Sequence, residues 1–294
     1  MEIEGKEPNN RLSTRDIIPL AGIPGIEKIL EPSPHPNRKV NDAKIRRLYV
    51  QASSQQWFAP QRIDYSAPVT MDEASIKVWR QFMLIFYSLE KMGLNTIALM
   101  AYKAVRKFKS DETAYYLAAQ EFDEARHVFA IENYLKRLGA PPVYDRKLHV
   151  FGQIASLGAF RVENWLFSTL FSENFASAFL RMARNSNLDE QGKEMCRSLL
   201  LDESRHLHFL HTVLPDVMDR LGVVGKTYLK SSQYFIMKLT EMFARNLDKE
   251  AGIVGMNRKE LVEDAFDSVQ TAYENIGLPR NFVKLPKISP LLAN

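Results

Sequence analysis

A five-residue pattern, Asp-Glu-x-Arg-His, occurs twice in the sequence. Each copy places a glutamate three residues before a histidine: Glu124 with His127 in the first copy, and Glu203 with His206 in the second. On a helix, side chains with this spacing project from the same face, so both members of a pair can reach one metal ion. The repeat therefore predicts two helices that each offer a carboxylate and an imidazole to a metal.

The residues around both motifs are apolar at helical spacing. Leu117 flanks Glu124 on its stripe, and Leu199 and Leu210 flank Glu203. A carboxylate among such residues is costly to bury unless it is paired or binds a metal. A single Glu-x-x-His pair is common on solvated helices, but two copies with the same flanking Asp and Arg are far more specific for a metal site.

A metal site between four helices needs two further carboxylates, one from the helix that precedes each motif. Glu90 lies 34 residues before Glu124 on an apolar stripe, which leaves room for a turn and an antiparallel return. Before the second motif, Glu173 lies 30 residues upstream of Glu203, and Glu163 lies 40 residues upstream. The separation of 30 residues is closer than 40 to the 34 residues between Glu90 and Glu124. We therefore predict Glu90 and Glu173 as ligands, with Glu163 as the alternative to Glu173.

Four carboxylates and two imidazoles make an oxygen-rich site, which suits iron or manganese better than a closed structural zinc site. Four negative charges also balance two divalent cations. The sequence has one cysteine, Cys196, so a cysteine-rich metal site is excluded. We expect Cys196 to be a small core residue.

Long helical windows must position these residues. The windows with apolar residues at helical spacing are about 71–107, 111–138, 152–184, 187–221, 226–248 and 257–276. Asp72, Asp111 and Asn187 are the predicted N-caps. Within residues 71–276 the β-branched residues are scattered rather than alternating, so the fold class is predicted to be all-α.

The sequence predicts a single domain over residues 1–294. Its prolines indicate an irregular N-terminal arm over 1–70, with a short helix around 41–56. The metal-binding helix bundle is predicted over 71–221, and extra helices with a tail over 222–294.

The composition is typical of a globular protein, with 46% hydrophobic and 25% charged residues. The net charge of +4 is small for this length and is not concentrated in runs, which argues against a nucleic-acid partner. No stretch approaches about 18 uninterrupted apolar residues, so we predict no membrane span. The N-terminus does not have the pattern of a signal peptide. With a single cysteine, these features predict a cytoplasmic protein.

The order of the two motifs and the two spare glutamates resembles the di-iron carboxylate oxidases and oxygenases of the ferritin-like superfamily. Bacterial multicomponent hydroxylases and ribonucleotide reductase small subunits are the most similar groups. The resemblance covers roughly residues 50 to 215, and within this range it includes the segments 56–57 and 63–64 that precede the first core helix. It implies a ferritin-like four-helix bundle with additional N- and C-terminal helices. It also implies two iron ions, or a Mn/Fe pair, with these ligands: Glu90, Glu124, His127, Glu173, Glu203 and His206.

The same resemblance implies roles for residues beside the ligands. Asp123 and Asp202 are expected to accept hydrogen bonds from the histidines and so to fix which ring nitrogen binds metal. Arg126 and Arg205 are expected to pair with these aspartates, with a surface ion pair as the alternative for each. Ser177 stands where multicomponent hydroxylases have a threonine, so it is the candidate catalytic hydroxyl for proton relay.

Departures from the related families narrow the function. Ile131 occupies the position of the radical tyrosine of reductase subunits, although Tyr134 follows one turn later. Gly93 replaces the crosslinking valine of the related ligand-binding oxidases. Leu199 stands where arylamine N-oxygenases have an extra histidine, so a seven-ligand site is not supported.

These comparisons favour a non-heme di-iron oxygenase or oxidase that activates dioxygen to oxidise a small organic substrate. The alternatives are a ribonucleotide-reductase-like radical or Mn/Fe cofactor protein, and a ferritin-like protein for iron handling or peroxide scavenging. The sequence has no Gly-rich flavin or nicotinamide motif and no Cys cluster, so we expect a separate ferredoxin or reductase to supply electrons. A homodimer is also expected.

Overall fold

The computed structural model describes residues 40–140, 161–245 and 247–284. These residues form nine helices and no strand, which confirms the predicted all-α class. The helices are α1 Asp42–Ser54, α2 Ala59–Arg62, α3 Glu73–Phe108, α4 Asp111–Arg137, α5 Val162–Arg184, α6 Glu190–Asp219, α7 Val223–Arg245, α8 Asp248–Ile253 and α9 Arg258–Asn275. The predicted start of α5 at residue 152, most of the N-terminal arm and the end of the tail lie outside the described residues.

Two of the three predicted N-caps are wrong. Asp72 caps α3 as predicted, since its side chain accepts a hydrogen bond from the Ser75 backbone at 2.7 Å. Asp111 is not the cap of α4, because the preceding Ser110 accepts from the Thr113 backbone instead. Asp111 lies in the first turn, where its negative charge interacts favourably with the positive end of the helix dipole.

Asn187 does not cap α6 either. The cap is Asp189, whose carboxylate accepts from the Gly192 backbone at 3.0 Å. The Asn187 side chain is used between elements instead: it accepts from Trp79 Nε1 at 3.1 Å and donates to Ser75 Oγ at 2.8 Å. The helix therefore begins later than predicted, because a tertiary contact takes the side chain that could have capped it.

Helices α3 to α6 form a four-helix bundle, in which α3 packs along α4 and α5 packs along α6. The additional helices predicted at both ends are present. Helix α1 packs on α4 and α6, while α7 and α9 pack on α5, and α8 packs on α3. Loops connect α3 to α4 and α5 to α6 within a few residues, so the two helices of each pair run antiparallel.

The buried apolar side chains fall into two clusters at opposite ends of the bundle. One cluster includes Trp79, Phe82, Tyr134 and Phe179, and the other includes Trp165, Phe167, Phe209 and Phe266. Burying a large apolar side chain stabilises the fold by about 1.5–3 kcal/mol. On each of α3 to α6, the residues of one cluster are separated from those of the other by a short charged segment. The bundle therefore holds a charged layer between two apolar ends.

Candidate dimetal site

The six predicted ligands meet in this charged layer, and all six are buried. Two helices contribute one carboxylate each, and the two motif helices contribute a carboxylate and an imidazole each. The residues are Glu90 on α3, Glu124 and His127 on α4, Glu173 on α5, and Glu203 and His206 on α6.

The first histidine faces three carboxylates through one ring nitrogen. His127 Nδ1 lies 3.0 Å from Glu90 Oε2, 3.5 Å from Glu203 Oε1 and 3.9 Å from Glu124 Oε2. Glu90, Glu124 and His127 offer atoms that all lie within 4.8 Å of one another, close enough to share one ion.

The second histidine repeats this arrangement. His206 Nδ1 lies 3.2 Å from Glu203 Oε2 and 3.6 Å from both Glu124 Oε1 and Glu173 Oε2. Glu124 and Glu203 thus present one oxygen toward each histidine, and the two imidazole rings are 6.0 Å apart between centroids. The six side chains could therefore bind two metal ions that share the carboxylates of Glu124 and Glu203.

Like charges in the cluster change the acidity of its carboxyl groups. Burial raises the pKa of Glu124 well above its ordinary value, and the charge of Glu90 raises it further. Burial likewise raises the pKa of Glu203, with the charge of Glu173 adding to the effect. A pair of divalent cations between the four carboxylates would offset this repulsion, which is the chemical reason that the donor set fits a dimetal centre.

Both histidines are held in a strongly acidic environment. Burial by itself lowers the pKa of His127, but hydrogen bonds to Asp202 and Glu90 outweigh it and raise the pKa well above the usual value. At His206, burial also acts to lower the pKa, and the charge of Glu173 contributes most to raising it. A metal ion at Nδ1 must therefore displace a proton.

The aspartates of the two motifs contact the histidines crosswise. His127 Nε2 donates to Asp202 Oδ2 at 3.0 Å, and His206 Nε2 lies 3.5 Å from Asp123 Oδ2. Each aspartate thus faces the histidine of the other motif. Because a carboxylate in this position holds the proton on Nε2, it leaves Nδ1 directed at the carboxylate cluster. The crosswise pairing was not predicted from the sequence.

The two arginines complete a buried ring of charges. Arg126 contacts Asp123 and lies 3.0 Å from Asp202, while Arg205 contacts Asp202 and lies 3.2 Å from Asp123. Both arginines are at most 8% exposed, so the alternative of a surface ion pair is wrong. The two Asp and two Arg charges balance each other and leave the net charge of the site to the four glutamates.

Trp57, between α1 and α2, also contacts this ring. Its Nε1 donates to Asp202 Oδ2 at 2.8 Å, and the Arg126 guanidinium lies 5.3 Å from the centre of the Trp57 ring. The sequence showed Trp57 only as part of a segment that resembles related proteins. A hydrogen bond across 145 residues leaves no local pattern that could have revealed it.

The alternative ligand Glu163 lies away from the cluster. Ten residues before Glu173, it is about 15 Å further along α5. It forms an ion pair with Lys107 and lies 3.6 Å from Arg161. Burial opposes ionisation of Glu163, but the hydrogen bond from Lys107 and the charges of Lys107 and Arg161 together outweigh it, so the pKa is lowered. The structure thus brings Glu173, and not Glu163, to the other carboxylates.

Ser177 is buried on α5, one turn beyond Glu173. It is not among the described residues that line the cavity beside the carboxylates. Its role as a proton relay therefore stays a prediction.

The positions at which the sequence departs from related families have distinct surroundings. Ile131 and Leu199 are buried in the apolar cluster around Trp79. The Tyr134 hydroxyl donates to Asp189 at 2.8 Å, away from the carboxylates. At Gly93, a Cβ atom would lie 3.3 Å from Glu124 Oε2, so glycine keeps the space beside this carboxylate open.

A cavity of about 330 Å³ opens onto the carboxylate cluster. Glu90, Glu124 and Glu173 form part of its wall, and most of the remaining lining consists of apolar side chains from α3, α5 and α7. Within the described residues, the helices lack a stretch of sufficient length and hydrophobicity for a membrane span.

Residues 61–272 match the model of a protein family described as P-aminobenzoate N-oxygenase AurF. Among curated proteins, none matches the chain significantly by sequence.

Several solved structures share this fold. Dimanganese(II)-NrdF from Streptococcus sanguinis has a TM-score of 0.67 at 14% identity, with 89% of this chain and 98% of that chain covered. A protein with aldehyde deformylating oxidase activity from Synechococcus has a TM-score of 0.59 at 18% identity, covering 71% and 94%. A variant R2-like ligand-binding oxidase with an Fe/Fe cofactor has a TM-score of 0.60 at 15% identity, covering 84% and 94%. The fold is therefore the predicted ferritin-like bundle, and the R2-like ligand-binding oxidases among its structural neighbours carry Fe/Fe or Mn/Fe cofactors.

Proposed function

Because the chain belongs to the P-aminobenzoate N-oxygenase AurF family and is a di-iron oxidoreductase, we propose that it binds two metal ions through the six clustered residues and uses dioxygen to oxidise an organic substrate in the adjoining cavity. The observation that carries this proposal is the pair of histidines that face the same two carboxylates. Glu124 and Glu203 would bridge the two ions, while Glu90 and Glu173 would each bind one.

Iron is the metal that we assign first, with a Mn/Fe pair as the variant. The bound ions would supply the electrons that reduce dioxygen, and this chemistry belongs to the metals. The chain would hold the two ions in place, surround them with a neutral ring of Asp and Arg side chains, and exclude water with apolar walls. The buried apolar side chains on both sides of the charged layer support this division of roles.

The oxygenase function is favoured over a radical function by two residues. Ile131 occupies the position at which a radical tyrosine is expected, and its side chain is fully buried. Tyr134, one turn beyond Ile131 on α4, donates its hydroxyl to Asp189. An organic substrate is supported by the cavity, which storage of iron does not require.

The remaining partners are inferred from the chain. A ferredoxin or reductase would supply electrons, since the sequence has no Cys cluster of its own. A homodimer is supported by Tyr115, Phe122 and Phe129, which are exposed aromatic side chains at seven-residue intervals along α4. The single cysteine supports a cytoplasmic location.

The test compares two buried glutamates on the same helix. Wild-type protein, Glu173→Gln and Glu163→Gln are each loaded anaerobically with ferrous iron and then exposed to dioxygen. We expect the wild type and Glu163→Gln to bind two irons per chain and to consume dioxygen rapidly. Glu173→Gln is expected to lose iron and to consume dioxygen slowly. Equal iron content and equal dioxygen consumption in the two variants would refute the ligand set.

A further inference from the structure

The cavity is long in one direction. Its lining residues recur along one stripe of α3 from Phe82 to Ile97, and along α5 from Trp165 to Met182. At a rise of about 1.5 Å per residue, these stripes extend for about 22 Å and 25 Å. Helix α7 lines the same cavity from Ser232 to Ala244. Three helices therefore border one elongated space.

The length of the cavity bears on which ligands can fill it. An extended hydrocarbon chain can run along the whole lined space of about 22 Å. A single aromatic ring, built from bonds of about 1.5 Å, spans only a fraction of that length.

The walls are chemically suited to such a chain. Phe86, Phe171, Ile236 and Leu239 are among the apolar side chains that line the cavity. Of its lining residues, the charged ones are the three glutamates of the metal site and Arg258, which forms an ion pair with Asp248 at 2.5 Å.

The carboxylates open halfway along the cavity. Glu90 lies eight residues after Phe82 and seven before Ile97 on α3. Glu173 lies eight residues after Trp165 and nine before Met182 on α5. A chain that fills the cavity therefore passes the metal site with its middle carbons.

Resting on the proposed function, we propose that the substrate is an unbranched hydrocarbon chain of about 16 carbons whose middle carbons face the metal site. The length follows from standard carbon geometry, in which bonds of about 1.5 Å at about 111° advance an extended chain by about 1.25 Å per carbon. About 22 Å then holds about 16 to 18 carbons. Shorter chains would fill only part of the cavity.

Oxidation at such a carbon balances as a hydroxylation. A C–H bond breaks and a C–O–H group forms, with one oxygen atom of dioxygen retained in the product. The second oxygen atom leaves as water, and the external ferredoxin or reductase supplies two electrons while solvent supplies two protons. The oxygen atom is then found near the middle of the chain rather than at its end.

Binding to metal-free protein tests this proposal separately from the proposed function. The probes are unbranched carboxylic acids of about 8 to about 20 carbons, measured by displacement of a fluorescent alkyl probe. Burial of each methylene predicts an increase in affinity of about fourfold per carbon until the cavity is full. Affinity should stop rising at about 16 to 18 carbons.

Two substitutions shorten the cavity from opposite ends. Ser168→Phe adds bulk near Trp165, and Ile85→Trp adds bulk near Phe82. Each substitution lies three residues inside the end, so each is expected to lower the optimum by about three to four carbons. Asn95→Phe is the control, since Asn95 is exposed on α3 and does not line the cavity.

The iron-loaded protein gives a second readout. The two shortened variants are expected to move the oxygen atom of the product along the chain in opposite directions. Tighter binding of benzoic or naphthoic acid than of the 16-carbon acid would overturn the proposal, as would an unchanged optimum in both shortened variants. If iron binding and dioxygen consumption persist in that case, the proposed function stands without this substrate. If the chains bind but iron does not, the proposed function fails instead.

Discussion

Replacing Asp202 by asparagine tests the ring of charges around the metal site. Asp202 is fully buried and accepts hydrogen bonds from Trp57 at 2.8 Å, from His127 at 3.0 Å and from Arg126 at 3.0 Å. It also contacts Arg205. Burial by itself would raise the pKa of Asp202, but its hydrogen bond with His127 and the charges of His127 and the two arginines lower it, so this carboxyl is ionised.

The magnitude follows from the charges that Asp202→Asn leaves behind. Asparagine keeps the size of the side chain and removes one negative charge, so two buried arginines then share the single carboxylate of Asp123. Removing one partner of a buried ion pair costs about 3–5 kcal/mol. Since a domain is stabilised by about 5–15 kcal/mol in total, the free energy of unfolding should fall by a large fraction. Metal affinity should fall about 10- to 100-fold, because His127 loses the acceptor that orients it.

The assay is urea unfolding of the metal-free protein, followed by titration of the folded protein with ferrous iron. Asp264→Asn is the matched control, because Asp264 forms an exposed ion pair with Arg181 at 2.7 Å. This substitution should change the free energy of unfolding by about 1 kcal/mol or less. The reasoning is refuted if both variants lose the same small amount, or if Asp202→Asn binds iron as tightly as the wild type.

Three further predictions concern the same centre. Metal affinity should rise as the pH is raised above the usual titration range of glutamate, because the raised pKa values of Glu124 and Glu203 mean that metal displaces protons from these carboxyls. A binding isotherm that does not depend on pH would contradict this. Gly93→Ala should weaken iron binding, because the added Cβ would lie 3.3 Å from Glu124 Oε2. It should also raise helix stability by up to about 1 kcal/mol, because alanine has the higher helix propensity. Calorimetry and iron titration separate the two effects, and an unchanged iron affinity would show that the Glu124 carboxylate can move away from the added Cβ. Trp57→Phe should lower the free energy of unfolding by about 1–2 kcal/mol through loss of its hydrogen bond to Asp202, with iron content unchanged; loss of iron would instead place Trp57 among the groups that hold the site.

The sequence predicted the bundle and the cluster because both depend on helical periodicity. The apolar stripes of α3 to α6 set which face is buried, and the polar interruption on each stripe marked Glu90, Glu124, Glu173 and Glu203. The ends of these helices were less predictable, since Asn187 has the chemistry of a cap but is used in a contact with Trp79. Local chemistry alone does not decide between these uses.

The contacts that cross between helices could not be predicted from the sequence. Asp202 serves His127, 75 residues away, rather than the histidine of its own motif. An Asp–His hydrogen bond within one motif and an Asp–His hydrogen bond between the two motifs satisfy the same groups, and only the packing of α4 against α6 selects the second. The cavity could not be predicted from the sequence either. Phe86 and Phe171 have the spacing of core residues, but in the folded chain they line a cavity together with residues of α7.

The most direct test of the account is the number and position of metal ions in a crystal of the iron-loaded protein, located by anomalous scattering. We predict two ions per chain, about 3.5–4 Å apart, with Glu124 and Glu203 bound to both. His127 Nδ1 and His206 Nδ1 should each bind one ion. A single ion, or two ions that do not share Glu124 and Glu203, would contradict the account.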